Sequence, residues 1–216
     1  MPTLTPDEAK AFYDRFGSKQ DSQAFYELPA LQRLVASSSL EDAHAVFEFG
    51  CGTGRLAREL LERHLPPDAV YRGVDLSRTM VELAASRLAP FAGRAAVEPA
   101  PDEPAFPLAD ASVDRVLSTY VLDLLPDPAV RQFLAEARRV LRPEGLLCLA
   151  GITHGVTPLS RAVMGVWGWL AARRPAWVGG CRPVSLQEHL SRAGWTLRFH
   201  TVVVAWGVAS EVTVAS

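Results

Sequence analysis

The strongest constraint on the fold is an apolar run that ends in three alternating glycines and continues as a helical pattern. Residues 45–49 read as a buried strand, and Gly50, Gly52 and Gly54 follow it at once. Glycine accepts positive φ values and lets a ligand approach the backbone closely. A helix that starts at residue 55 would offer free backbone N–H groups at its N-terminus. The string therefore predicts a strand, a turn and a helix, with a ligand site at the turn.

Short apolar runs alternate with helical patterns along the rest of the chain, which is typical of an α/β fold with a parallel sheet. After helical residues 6–36, strands are predicted at 45–49, 70–74, 95–98, 114–119 and 146–152, with helices at 55–65, 77–88 and 127–141. A last helix at 185–194 precedes two strands, 196–205 and 208–215, that should pair antiparallel. Residues 153–184 are predicted to be irregular.

Three polar residues are predicted to begin helices. Ser77 is expected to be an N-cap, and Asp127 an N-cap ahead of a proline at the first helical position. Ser185 and Glu188 have the spacing of a capping box. Residues 142–145 are predicted to form a turn before the last parallel strand.

The balance of residue types argues against several classes of protein. With 49% hydrophobic and 21% charged residues and a net charge of −2, the chain is unlike a disordered segment or a dedicated nucleic-acid binder. Its three cysteines lie far apart, so we expect no disulfide framework, no metal site and a reducing, cytoplasmic location. The apolar run at 162–172 is too short to span a membrane, and residues 1–10 do not read as a secretory signal.

Two details of the glycine turn narrow the ligand. A dinucleotide-binding turn, G-x-G-x-x-G, would have its third glycine at position 55, where this chain has Arg55. Asp75 closes the second predicted strand, and a carboxylate at that edge can accept hydrogen bonds from both hydroxyls of a ribose. Together these features indicate a nucleoside ligand that needs no pyrophosphate.

Four segments together resemble the class I S-adenosylmethionine-dependent methyltransferases. Residues 48–54 are similar to the first motif of that family and residues 73–77 to its second. Residues 110–118 resemble its fourth-strand segment, and residues 134–145 resemble the helix and turn before its fifth strand. The resemblance implies a Rossmann-like three-layer sandwich with a seven-stranded, mostly parallel sheet and an antiparallel last strand. It also implies S-adenosyl-L-methionine as the cofactor and a small-molecule or lipid-like methyl acceptor.

The resemblance assigns cofactor contacts to particular residues. Glu48 corresponds to an acidic position near the amino group of the cofactor, and Asp75 to the residue that holds the ribose. Many members carry Gly-Asp-Ala after the third strand, whereas residues 97–102 read Val-Glu-Pro-Ala-Pro-Asp, so the contact to the adenine amine is open between Asp102, Glu98 and backbone. The predicted cofactor-binding residues are Glu48, Gly50, Cys51, Gly52, Gly54, Asp75, Leu76, Met80, Asp102 and Ser118.

Methyl transfer from a sulfonium depends largely on alignment and removal of water, so a dedicated catalytic residue is not required. If a base is needed, the candidates are Tyr120, Asp123 and His154, each of which also has a plausible structural role. The residues predicted to contact the acceptor are Tyr13, Tyr120, His154 and Trp169. Residues 153–184 contain three tryptophans and two neighbouring arginines, which suits an apolar acceptor, a membrane-surface contact or a helix that covers the sheet.

We therefore expect one methyltransferase domain over residues 1–216. Its predicted parts are an N-terminal helical cap (1–40), a cofactor-binding core (41–152), an acceptor-site insertion (153–184) and a last helix with a hairpin (185–216). Neither a nucleic-acid partner nor a transmembrane segment is expected. Two alternatives remain: a nucleotide-cofactor oxidoreductase, disfavoured by Arg55, and a cofactor-binding partner protein without catalysis.

Overall fold

The computed structural model describes residues 3–101 and 103–216. Seven strands form one sheet in the order β3-β2-β1-β4-β5-β7-β6. Strand β7 runs antiparallel to both of its neighbours, and the other pairs are parallel. The predicted mostly parallel sheet with an antiparallel last strand is confirmed. The strands are β1 (Ala45–Phe49), β2 (Val70–Asp75), β3 (Ala95–Pro99), β4 (Val113–Thr119), β5 (Leu141–Ile152), β6 (Leu197–Ala205) and β7 (Val208–Ala215).

Helices cover both faces of this sheet, which gives the predicted three layers. Successive residues of a strand point to opposite faces, and Val46 and Phe47 of β1 accordingly belong to two separate clusters of the core. One cluster includes residues of α2, α3 and α6, and the other includes residues of α5 and α7. The helices are α1 (Pro6–Phe16), α2 (Ala24–Ala36), α3 (Arg55–Arg63), α4 (Arg78–Leu88), α5 (Asp127–Val140), α6 (Pro158–Arg173) and α7 (Leu186–Arg192).

The helix starts agree with the sequence in two cases and differ in one. Ser77 and Ser185 accept hydrogen bonds from backbone amides three residues on, as N-caps do. The reciprocal half of the predicted capping box is replaced, because the Glu188 carboxylate pairs with Arg192 at 2.9 Å. Asp127 is the first residue of α5 rather than its N-cap, and its carboxylate accepts a hydrogen bond from Arg182 at 3.0 Å.

The prediction that residues 153–184 are irregular is wrong, because 16 of them form α6. Thr157 and Ser160 form a capping box at its start, and Pro158 occupies the first turn. The predicted turn at residues 142–145 is instead part of β5, where residues 142–144 are exposed and the pairing with β4 shifts register. No helix among the described residues is long and apolar enough to cross a membrane.

Candidate functional site

The carboxyl ends of β1, β2 and β4 open into a cavity of about 580 Å³. Strand β1 has β2 on one side and β4 on the other, so the order of strands reverses at this point of the sheet. Ligands of open α/β sheets bind at such reversals, outside the carboxyl ends of the strands. The glycine turn after β1 lies in the wall of this cavity through Gly50, Cys51, Gly52 and Thr53.

The three glycines of the turn all have positive φ values, but they meet different neighbours. A Cβ atom added at Gly50 would overlap Val121, and one added at Gly54 would come within 3.0 Å of Ala84 on α4. A Cβ atom at Gly52 would have nothing within 4 Å and would project into open space. Gly54 is not part of the cavity wall. The absence of a side chain at Gly52 therefore leaves space for a ligand, whereas at Gly54 it allows the start of α3 to pack closely on α4.

Asp75 stands at the end of β2 and supports the glycine turn. The Gly52 amide donates to Asp75 Oδ2 at 2.8 Å, and the Ser77 amide donates to Asp75 Oδ1 at 2.9 Å. Burial raises the pKa of Asp75 to about 6, although these two hydrogen bonds oppose the shift. An ionised carboxylate has about four acceptor positions, so two are left for a ligand in the cavity that Asp75 lines.

Glu48 is a buried acid in the same wall. It is 1% exposed, and the hydroxyl of Tyr71 on β2 donates to its Oε2. Burial raises the pKa of Glu48 to about 7, against the lowering effect of the Tyr71 hydrogen bond. A buried carboxyl beside a cavity has a strong preference for a cationic or proton-donating ligand group when it is ionised.

The remaining predicted cofactor residues divide between the cavity and the core. Leu76 and Met80 line the cavity. Ser118 does not: it is buried, and its hydroxyl donates to the Phe49 carbonyl at 2.8 Å, which joins β4 to β1. Glu98 is exposed on β3, away from the lining. Asp102 lies outside the described residues, although the loop on either side of it contributes to the wall.

The N-terminal segment forms part of the cavity wall. Tyr13 lines the cavity, and its hydroxyl donates to the Gly179 carbonyl at 3.1 Å, which links α1 to the segment after α6. The Asp14 carboxylate accepts from the Ser77 hydroxyl at 2.6 Å and from the Thr79 amide at 3.3 Å. These contacts attach α1 to the start of α4, directly beside the glycine turn.

Sequence reasoning missed a group of polar residues contributed by the N-terminal segment. Glu27 on α2 is 5% exposed, lines the cavity and pairs with Arg55 at 3.0 Å. Burial raises the pKa of Glu27 to about 7, although Arg55 opposes the shift. Asp21 also lines the cavity and accepts from the Thr53 hydroxyl at 2.7 Å and from Arg87 at 2.7 Å. The available signal was an acid between aromatic and apolar residues in a helix, Phe-Tyr-Glu-Leu.

Of the residues predicted for catalysis or for contact with the acceptor, the structure places only some in the cavity wall. Tyr120 lines the cavity at a φ of 56°, and its hydroxyl donates to Ser210 at 2.9 Å. Asp123 is fully buried outside the lining, where its Oδ2 accepts from the Ile152 amide at 3.3 Å. His154 and Trp169 are exposed and also lie outside the lining, so their placement does not support the prediction that they contact an acceptor in this cavity.

Comparison with known proteins agrees with this geometry. Residues 46–145 match the family described as "Methyltransferase domain". A malonyl-[acyl-carrier protein] O-methyltransferase of Hahella chejuensis is 38% identical over 138 residues, which are 63% of this chain and 47% of that protein. The ubiquinone/menaquinone biosynthesis C-methyltransferase UbiE of Geobacter sulfurreducens is 35% identical over 137 residues, 62% of this chain and 51% of that protein. The chain thus spans about half the length of these relatives.

Two further similarities are to a second kind of methyltransferase and to a solved structure. The tRNA N(3)-methylcytidine methyltransferase Mettl2 of Drosophila melanogaster is 28% identical over 150 residues, 65% of this chain and 46% of that protein. A crystal structure of a SAM-dependent methyltransferase from Aquifex aeolicus, 16% identical, superposes with a TM-score of 0.64 and covers 98% of each chain. With the strand order, the glycine turn and the matching family, these similarities support a class I S-adenosylmethionine-dependent methyltransferase domain at residues 46–145, and they imply S-adenosylmethionine as its cofactor.

Proposed function

We propose that this protein transfers a methyl group from S-adenosylmethionine to a small or lipid-like acceptor. The observation that carries the proposal is the make-up of the cavity. The glycine turn and Asp75 form part of a wall whose remaining residues are largely apolar, and the volume of about 580 Å³ suits a drug-sized ligand. The apolar lining includes Leu4, Pro6, Ala9, Leu31, Leu124, Leu125, Pro126, Pro128 and Ala129.

Each polar residue of the cofactor side has a role that its geometry supports. Asp75 accepts hydrogen bonds from the ribose hydroxyls with the acceptor positions that the backbone amides leave free. Glu48 faces the amino group, and Gly52 leaves the space that a side chain would fill. Leu76 and Met80 form the apolar wall for the adenine, and the role of Asp102 at the adenine amine stays a prediction.

The chain promotes transfer mainly by alignment and by exclusion of water. The walls hold the methyl donor and the acceptor in one line, which replaces a bimolecular encounter with a reaction inside one site. Tyr13 and the other N-terminal residues cover the cavity, and their contacts with Gly179 and Ser77 keep the cover in place. A dry site favours a displacement in which the positive charge of the sulfonium disperses.

The need for a base depends on the acceptor atom. A carboxylate, as in the substrate named for the Hahella relative, is already an ionised nucleophile and gives up no proton. A ring carbon, as the name of the Geobacter relative implies, must lose one. Glu27 is the cavity residue suited to take it, because its pKa of about 7 lies near the working pH. Tyr120 is poorly suited, because burial raises its pKa and its hydroxyl already donates to Ser210.

The test is the formation of S-adenosylhomocysteine by the purified protein with three acceptors: a malonyl thioester on acyl carrier protein, a prenylated quinol and transfer RNA. We expect turnover with one of the first two. Turnover with transfer RNA alone would overturn the acceptor class, and binding of a nicotinamide dinucleotide in place of S-adenosylmethionine would overturn the reaction. Cofactor binding without turnover would support a partner protein that lacks catalysis.

The variant Glu27→Gln separates the two acceptor types. We expect it to leave O-methylation of a carboxylate nearly unchanged and to slow C-methylation by about 10²–10⁴-fold. Glu62→Gln is the matched control, because Glu62 is an exposed acid on α3 that also pairs with an arginine, at 2.7 Å. Equal losses in both variants would remove Glu27 from the mechanism.

A further inference from the structure

The outer surface of α6 and the structure around it form a patch that the catalytic proposal does not use. We call it the Trp–Arg face, and it comprises Leu159, Val166, Trp169, Arg173, Arg174, Trp177 and Trp206. Its large apolar side chains are among the most exposed of the protein: Leu159 at 69%, Val166 at 61%, Trp169 at 55%, Trp177 at 64% and Trp206 at 81%.

Helix α6 is apolar on both sides, and only one side is covered. Met164 and Ala171 are buried, and the Trp167 indole donates to the Cys181 carbonyl at 3.0 Å, so this side packs on the protein. Leu159, Val166 and Trp169 follow the i, i+7, i+10 spacing of a single helix side and are exposed. A helix that is apolar all round normally has both sides covered.

The hairpin between β6 and β7 extends this surface. Its tip, Trp206–Gly207, packs beside α6, because a Cβ atom at Gly207 would come within 2.8 Å of Val163. Trp206 has a φ of 54°, in the left-handed region that bulky residues rarely adopt. Trp206 in this conformation, with its indole in solvent, lowers the stability of the turn relative to Asn or Gly, which adopt a positive φ more easily. Such outliers cluster where a surface has a function.

The charges of the face are of one sign. No aspartate or glutamate occurs from residue 153 to residue 187, a stretch that includes Arg161, Arg173 and Arg174. The guanidinium of Arg173 lies 4.2 Å from the ring centre of Trp169, and that of Arg174 lies 4.8 Å from the ring centre of Trp177. Trp169 and Trp177 are therefore each presented together with a positive charge, although the whole chain has a net charge of −2.

We propose that the Trp–Arg face docks on an anionic lipid surface. Tryptophans concentrate at the boundary between headgroups and acyl chains, and arginines attract anionic headgroups. An amphipathic helix that carries both lies in the plane of the interface. The aliphatic Leu159 and Val166 favour this partner over nucleic acid, since they match acyl chains and have no counterpart on a phosphate backbone.

The Trp–Arg face is joined to the rim of the cavity, so docking could place the cavity next to the lipid surface. The segment that carries Trp177 continues into Gly179 and Gly180, where the Gly179 carbonyl accepts from Tyr13. A Cβ atom at Gly180 would come within 2.9 Å of Leu4. Tyr13 and Leu4 both line the cavity. Docking would hold the cover of the cavity against the lipid phase, where a lipid-like acceptor resides. This last step rests on the proposed function, whereas docking itself does not.

The experiment is co-sedimentation of the full chain with large vesicles of phosphatidylcholine alone and of phosphatidylcholine with 30% phosphatidylglycerol, at low and high salt. We expect binding to the anionic vesicles only, weakened by salt and accompanied by a blue shift of tryptophan fluorescence. Arg173→Glu with Arg174→Glu should lower the partition coefficient by at least ~25-fold, from about fivefold per lost basic residue. Trp169→Ser with Trp206→Ser should lower it by about tenfold or more.

The control is Arg63→Glu with Arg131→Glu, which changes the net charge equally at exposed positions on α3 and α5. It should reduce binding far less. Equal losses in both double variants, or equal binding to neutral and anionic vesicles, would overturn the proposal. The proposal would also be overturned if sedimentation equilibrium showed a dimer that dissociates in the tryptophan variant. Transfer RNA binding that the arginine variant abolishes would overturn it as well. No vesicle binding by the parent protein would also overturn it, whether or not methyl transfer is found.

Discussion

The glycine turn at residues 50–54 and helix α6 both stand out in the sequence, and the structure uses them in opposite ways. In the turn the backbone conformation selects the residue type, because all three glycines have a positive φ, and a side chain at Gly50 or Gly54 would also meet a neighbour. In α6 the residue type decides little, because the helical backbone places residues two apart on opposite sides. Trp167 and Trp169 are two residues apart, yet one donates a hydrogen bond inside the protein and the other is exposed. A backbone constraint therefore fixes a position, whereas side-chain type alone does not fix a direction.

The largest effect is expected from Gly52→Val. The valine side chain would occupy the open space beside the turn, at a φ of 53° that β-branched residues avoid. We expect S-adenosylmethionine binding to fall below detection in titration calorimetry, while circular dichroism shows a folded protein. Gly54→Ala is the contrasting variant, because its Cβ atom meets Ala84 and should lower the melting temperature more than the affinity. Normal binding by Gly52→Val would show that the turn does not hold the cofactor.

Asp75→Ala is expected to weaken cofactor binding by about 10²-fold or more. Two charge-assisted hydrogen bonds of about 1.5–3 kcal/mol each would be lost, together with the support that Asp75 gives to the Gly52 and Ser77 amides. Titration calorimetry on the folded variant measures the loss. Asp75→Asn keeps an acceptor oxygen and should bind with intermediate affinity. An unchanged affinity for the alanine variant would refute the ribose assignment.

The order of elements was predictable because each strand is bounded by a local signal such as a glycine turn, a proline or a capping serine. The sequence offers a helix within residues 153–184 only as one of several interpretations, because apolar residues on both sides of α6 obscure the helical period. The prediction that Asp127 is an N-cap is wrong, because the sequence does not reveal that Arg182, far along the chain, binds its carboxylate.

The candidate site was predictable only where its residues belong to a local sequence motif. The residues of the glycine turn and Asp75 belong to a local motif, and most of them line the cavity. Glu27 belongs to no motif, and it reaches the cavity only because α2 packs on the sheet against β5, β6 and β7. The prediction for His154 and Trp169 rests on their chemistry and their place after β5, and neither property determines which way a side chain points.

The buried acids of the cavity wall should make the stability of the protein depend on pH, whereas α6 contains no acidic residue. Burial raises the pKa of Glu27 and Glu48 to about 7 and that of Asp75 to about 6, while the unfolded chain ionises near pH 4. Between these values the folded protein retains protons that the unfolded chain releases, so stability should fall as pH rises from about 5 to 7.5. Thermal unfolding across this range tests the sign, and Glu48→Gln should flatten the slope. A melting temperature that rises over the range would contradict the burial of these acids.

The smallest effect on stability is expected from Trp169→Ala, and its contrast with Trp167→Ala tests whether the two sides of α6 differ as the structure shows. Because the Trp169 indole is exposed and touches Arg173, its loss should change the free energy of unfolding by less than about 0.5 kcal/mol. Trp167→Ala removes the hydrogen bond to Cys181 and the edge contact with Tyr26, and should cost about 2 kcal/mol. Turnover of a water-soluble acceptor should be unchanged in Trp169→Ala, since this side chain lies outside the cavity lining. Urea unfolding and steady-state kinetics on both variants give the answer. A loss of turnover in Trp169→Ala, at unchanged cofactor affinity and stability, would return this tryptophan to the acceptor site, because only contact with the acceptor could then explain the defect.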